Sequence, residues 1–139
     1  MNSSVVDRYQ NNPILTRKDI PYPVATVHNA GVIKHQDYYI MLFRSHLYNG
    51  RSIIGKAVSK DGYHFTVDKE PVMMPAKQGP FQKYVIKGIE DPRITEFNGI
   101  YYILFTAVSS WGPRIEIAQT TDFKTFERIA LISEPGNKD

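Results

Sequence analysis

Two runs of aromatic and aliphatic residues stand out from the polar background of the chain: Tyr38-Tyr39-Ile40-Met41-Leu42-Phe43 and Tyr101-Tyr102-Ile103-Leu104-Phe105-Thr106. Both are rich in aromatic and β-branched side chains and both follow turn-type residues, Gln36-Asp37 and Asn98-Gly99. That combination predicts strands. Asn98-Gly99, set between Ile94-Thr95-Glu96-Phe97 and Ile100-Tyr101-Tyr102, is the pattern of a two-residue hairpin. Helical periodicity is missing: no window holds apolar residues at i, i+3, i+4 and i+7 for long, and nine prolines and nine glycines punctuate the chain. The pattern predicts an all-β fold.

The strands recur. Tyr38 and Tyr101 are 63 residues apart, and a second match follows each at an offset of 61. Ala57-Val58-Ser59-Lys60-Asp61-Gly62-Tyr63-His64-Phe65 aligns with Ala118-Gln119-Thr120-Thr121-Asp122-Phe123-Lys124-Thr125-Phe126. The shared form is a strand end, an Asx-type turn and an aromatic that returns to the core. A repeat of about 60 residues with about four short strands fits a β-propeller blade. The alternative is two similar hairpins in a sandwich. On the propeller reading residues 1–30 are a lead-in, 31–87 a first repeat with a long connection, and 88–139 a second repeat cut short. The connection is Pro71 to Lys87, whose Pro75-Ala76-Lys77-Gln78-Gly79-Pro80 has no strand pattern. Propeller-type arrays need about three repeats or more for stability, and two are present. The chain ends in turn chemistry, Ser133-Glu134-Pro135-Gly136-Asn137-Lys138-Asp139, so it reads as the front of a larger protein.

Composition narrows the function classes. The 139 residues are 42% hydrophobic and 22% charged, ordinary for one soluble domain. A net charge of +3 with no Lys/Arg stripe argues against nucleic acid. The absence of cysteine fits a reducing compartment and excludes disulfides and thiolate metal sites. The N-terminal Met1-Asn2-Ser3-Ser4-Val5-Val6-Asp7-Arg8 lacks a basic and then apolar leader, and no apolar run approaches the ~20 residues of a membrane helix. The four histidines, His28, His35, His46 and His64, show no i, i+4 spacing or carboxylate pairing typical of a metal site. The expectation is a cytoplasmic, metal-free protein with no membrane partner.

The chemistry concentrates in Gly88-Ile89-Glu90-Asp91-Pro92-Arg93-Ile94. Pro92 pushes Asp91 towards extended backbone. Alternation along an extended run then places Asp91 and Arg93 on one face and Glu90 on the other. A carboxylate on stiff backbone beside a guanidinium suits a polyhydroxylated or phosphorylated ligand. A surface ion pair is the competing reading.

With the repeat and the acidic segment together, the chain resembles the N-terminal part of glycoside hydrolase family 130. The resemblance rests on Asn12-Pro13-Ile14-Leu15, Pro21-Tyr22-Pro23, Val27-His28-Asn29-Ala30-Gly31-Val32, Leu42-Phe43-Arg44-Ser45, Ser59-Lys60-Asp61-Gly62, the Gly88–Ile94 segment and Asn137-Lys138-Asp139. It implies a five-bladed β-propeller, of which this chain covers about two blades, and an inverting phosphorylase of β-mannosides. It further implies that Asp91 is the catalytic acid, protonating the glycosidic oxygen through the 3-hydroxyl of the mannosyl unit. Inorganic phosphate, the co-substrate in place of any cofactor, attacks the opposite face to give α-mannose 1-phosphate. Asn29 and Arg44 match positions that bind the sugar, and Lys138 a basic position near phosphate and acceptor. Arg93 and Asp139, inside matching motifs, complete the candidate substrate-binding set. The implied partners are a β-mannosyl oligosaccharide and phosphate, with homo-oligomer formation left open.

Competing readings stand beside these. Asn29 before Ala30-Gly31 has the residue type of a turn. Arg44 closes an apolar strand, which calls for a partner. Arg93 facing Asp91 would favour its ionised form, wrong for an acid, so either Arg93 takes another partner or the sugar reorganises the pair. Trp111 is either a stacking platform or a partly buried anchor. For the whole chain the alternatives are a hydrolase of the same or a related propeller family and a binding-only fragment.

Overall fold

Eight strands and two single 3-10 turns make up the computed structural model, which describes residues 5–136. The strands are β1 (Thr26–His35), β2 (Tyr38–His46), β3 (Ser52–Ser59), β4 (Thr66–Val67), β5 (Gly88–Phe97), β6 (Ile100–Ser109), β7 (Gly112–Thr120) and β8 (Glu127–Leu131). β1 to β4 form one antiparallel meander and β5 to β8 another. A single parallel pairing, Ser52 with Gly88, links the two into one open sheet. Gly88 adopts φ 143, and any side chain there would collide with Ser52, so the link requires glycine. Among the described residues no helix is long and apolar enough to cross a membrane.

Turn chemistry sets the register. Asn98 and Gly99 both have positive φ, 52 and 78, as a type I′ hairpin demands, and Phe97 pairs with Ile100. Gln36 (φ 54) and Asp37 do the same work in the first meander, where His35 pairs with Tyr38. These pairings correct the strand alignment read from sequence. Tyr38 corresponds to Ile100 rather than to Tyr101, because the aromatic pair sits one residue later in the second hairpin. A shift of one position exchanges the two faces of a strand. Met41 and Phe43 therefore correspond to Ile103 and Phe105, and Ile40 and Leu42 to Tyr102 and Leu104.

Those faces build two cores. Ile40, Leu42 and Ile54 of the first meander pack with Ile103, Phe105, Ala107 and Ala118 of the second. On the opposite face Met41, Phe43, Ile53 and Ala57 are covered by Ile20 and Val24 of the lead-in. Full burial of side chains such as Leu42 or Phe43 contributes about 1.5–3 kcal/mol each. The segment between β4 and β5 is tied down despite its irregular backbone: the Val72 and Met73 amides both donate to the Ile54 carbonyl, and Val85 is buried.

The repeated turn motif folds as its sequence predicts. Asp61 Oδ1 accepts the Tyr63 and His64 amides, and Asp122 Oδ1 accepts those of Lys124 and Thr125. The turn holds Gly62 (φ 79) in one unit and Phe123 (φ 54) in the other. A phenylalanine at positive φ is unusual. Burial compensates: the Phe123 ring lies 4.6 Å from that of Tyr101 and 5.4 Å from His35, and its carbonyl accepts Lys56 Nζ at 3.0 Å.

Candidate functional site

A β-bulge interrupts each meander at the same place. In β1 the register with β2 shifts between His28 and Gly31, and in β5 the register with β6 shifts between Glu90 and Arg93. Each bulge holds a residue in left-handed backbone, Asn29 at φ 49 and Asp91 at φ 53. Asparagine and aspartate tolerate that region better than most residues. The two are 62 residues apart and meet directly, Asn29 Nδ2 donating to Asp91 Oδ1 at 2.8 Å. The approach is close because a Cβ on Gly31 would lie 2.6 Å from the Pro92 carbonyl oxygen.

Arg44 completes the centre. It stands on β2 opposite His28, and its Nη1 donates to Asp91 Oδ1 at 3.1 Å and to Oδ2 at 3.4 Å. Its Nη2 donates to Glu90 Oε1 at 2.7 Å. Ser52 Oγ donates to the same Glu90 oxygen at 3.1 Å. The Asp91 side chain is 2% exposed, against 12–13% for Glu90 and Arg44. Such bonds to a buried carboxylate offset the cost of removing it from water. Arg44 Nε is buried without a hydrogen-bond partner among the described residues.

Two histidines extend the network. Arg44 Nη2 lies 2.9 Å from His46 Nε2, and a guanidinium only donates, so that nitrogen accepts. The proton then sits on Nδ1, which donates to Thr26 Oγ1 at 2.8 Å. The His28 ring centroid is 5.2 Å from that of His46. Burial, then the positive charge of Arg44, lowers the pKa of His28 below its ordinary value, outweighing Asp91 and Glu90. An open cleft of about 560 Å³ adjoins the centre, with His28, Asn29, Met41 and Phe43 on one side and Asn12 to Leu15 with Arg8 on the other.

Several expectations change here. Alternation along β5 does not hold, because the bulge at Asp91 breaks it, and Glu90 and Asp91 converge on one guanidinium. Arg93 does not share the Asp91 face. It is exposed, and its Nη1 donates to the Pro92 carbonyl at 3.2 Å. The partner beside Asp91 is Arg44, from another strand. Two histidines lie near carboxylates in ways unlike a metal site: His46 Nε2 is 3.9 Å from Glu90 Oε1, and in an exposed turn His64 Nδ1 is 2.7 Å from Asp61 Oδ2. Among the described residues no group of three His, Cys, Asp or Glu side chains is placed to hold a metal ion. Lys138 and Asp139 lie outside the described residues. Trp111, in the β6–β7 turn, is 59% exposed with its ring beside that of Tyr84. Sequence reasoning missed His28, His46, Thr26 and Ser52. The available signal was spacing, since Thr26 and His28, like Arg44 and His46, are two apart on strands.

Comparison with known proteins gives the family. Residues 4–137 match the model of glycoside hydrolase family 130, described as β-1,4-mannooligosaccharide phosphorylase. Among curated relatives, a β-1,2-mannobiose phosphorylase of Listeria innocua is 41% identical over 88 residues, 63% of this chain and 23% of its own length. A solved structure of β-1,2-mannobiose phosphorylase from Listeria innocua, in complex with β-1,2-mannobiose, superposes with a TM-score of 0.81. It is 27% identical, with 95% of this chain and 52% of that one covered. A second structure comes from work on family members that are glycoside hydrolases targeting β-1,2-mannosidic linkages in Candida mannan. It gives a TM-score of 0.82 at 26% identity, covering 89% of this chain and 40% of that one. The chain spans at most about half the length of these relatives.

Proposed function

The chain belongs to glycoside hydrolase family 130, and from that premise we propose that it forms the front part of an inverting β-mannoside phosphorylase in which Asp91 is the proton donor. The observation that carries this reading is the triad of Asn29, Arg44 and Asp91, drawn from three strands and met at paired bulges. Its members are a buried carboxylate, an amide and a cation, a set suited to gripping a ring of hydroxyl groups. Arg44 Nε, buried without a partner among the described residues, is the kind of orphaned donor that a bound hydroxyl satisfies.

In the proposed reaction a phosphate oxygen bonds to the anomeric carbon from the face opposite the leaving group. The bond from that carbon to the glycosidic oxygen breaks, and its electron pair stays on the oxygen. The oxygen is protonated through the mannosyl 3-hydroxyl, whose own proton is replaced from Asp91. Asn29 and Arg44 orient the sugar. Lys138, with residues further along the protein, supplies the positive charge around phosphate, and Arg93 and Asp139 belong to the outer substrate contacts. The five-bladed propeller is part of the reading, with residues 31–87 and 88–139 as its first two blades and 1–30 as the lead-in. So is a cytoplasmic location, which suits a chain without cysteine.

The experiment is cleavage of β-mannosyl disaccharides by the intact protein with and without inorganic phosphate, repeated for Asp91→Asn. Cleavage should require phosphate and should vanish in the variant, with the circular dichroism spectrum unchanged. Equal release of free mannose without phosphate would make the protein a hydrolase. Near-full activity of Asp91→Asn would remove Asp91 from the acid role.

A further inference from the structure

We propose that Glu90 is a positioning residue for this reaction: it holds Arg44 in place and takes up part of its positive charge, so that Asp91 can carry a proton while bound to a guanidinium. This rests on the reading of Asp91 as the acid.

The geometry poses a problem that Glu90 solves. An arginine bound to a buried aspartate stabilises the ionised form, which cannot donate a proton. Arg44 does not serve Asp91 alone. Its shorter bond, 2.7 Å, goes to Glu90, and its bonds to Asp91 are 3.1 and 3.4 Å. Two carboxylates on one guanidinium carry a net negative charge when both are ionised, and protonating one relieves it. Glu90 is suited to remain the ion, since it also accepts Ser52 Oγ at 3.1 Å and is more exposed than Asp91.

The same contacts fix the guanidinium in space. Nη2 is held by Glu90 and by His46 Nε2, itself set by Thr26, while Nη1 faces Asp91. The arrangement depends on the bulge, because in regular β-structure Glu90 would point to the other face. Among the described residues Arg44 on β2 and His28 on β1 face Asp91, Glu90 on β5 shares the guanidinium, His46 on β2 lies against Glu90, and the neutral Asn29 stands beside Asp91.

Glu90→Gln keeps the shape and removes the charge, whereas Glu90→Asp keeps the charge and shortens the reach. The test is kcat and KM for phosphate-dependent cleavage across pH in the intact protein, together with titration of the Asp91 carboxyl by carbon-13 NMR without substrate. In Glu90→Gln the alkaline limb of the kcat profile should move about one pH unit towards acid, with a roughly tenfold loss of kcat at neutral pH and a smaller change in KM. The Asp91 midpoint should move the same way. Glu90→Asp should keep the limb near its original place. An equal loss at every pH with an unmoved limb and midpoint overturns the inference, as does an acid shift in Glu90→Asp. Should the unaltered protein cleave no mannoside while the Asp91 midpoint still moves in Glu90→Gln, the charge-sharing stands and the functional reading fails.

Discussion

Two carboxylates of the second meander leave water in different ways. Asp91 is met by Asn29 and Arg44, from the first meander, whereas Glu116 on β7 is fully buried against a single cation. Arg128 Nε and Nη2 bond its two oxygens at 2.5 and 3.2 Å, and Arg128 Nη1 has no partner among the described residues. Burial pushes the Glu116 carboxyl up to about 7, against the opposing charge and hydrogen bond of Arg128. The unfolded value lies near 4.5, so between about pH 4.5 and 7 the folded protein holds a proton that the unfolded chain has lost. Stability contributed by Glu116 is thus complete below pH 4.5 and falls as pH rises through 7, by about 2–3 kcal/mol over the window. Urea unfolding from pH 5 to 8 should show this decline, and Glu116→Gln should flatten it. An unchanged slope in the variant would place the pH dependence elsewhere.

Strands and turns were more legible in the sequence than the site they carry. Asn98-Gly99 fixes its hairpin through positive φ, and Asp61 and Asp122 fix their turns through backbone amides, all local chemistry that residue types announce. The bulge at Asp91 is not announced, because alternation along an extended run hides it, while at Asn29 the residue type signals a turn and not its partner. That is why Glu90 was expected on the wrong face and Arg93 beside Asp91. His28 and His46 are visible only through their i, i+2 spacing to Thr26 and Arg44, whereas Ser52 meets Glu90 through strand register, which no spacing reveals. Closeness of the two bulged strands gives the element-scale test. Gly31→Ala sets a methyl group against the Pro92 carbonyl and should cost about 1–3 kcal/mol of stability in a thermal melt, loosening the Asn29–Asp91 contact as β1 and β5 separate. An unchanged melting temperature would show that the bulges tolerate a wider approach.

Over the whole molecule the two meanders are used unequally. Ile40 and Leu42 of the first are buried against the second, yet their counterparts Tyr102 and Leu104, with Ile115 and Ile117 alongside, are only partly covered. The relatives that the chain matches are about twice as long or longer. The sequence conveyed the all-β class, the repeat and the acidic segment that holds Asp91. It misjudged the offset by one residue because the aromatic pairs align better than the hairpins that contain them. Inversion at the anomeric carbon is what the proposed chemistry demands of the intact protein, and the configuration of its product reports it. Incubated with a β-mannosyl disaccharide and inorganic phosphate, and followed by phosphorus and proton NMR, the intact protein should form α-mannose 1-phosphate as the first product. Appearance of the β-anomer, or of free mannose with phosphate unconsumed, would contradict the account.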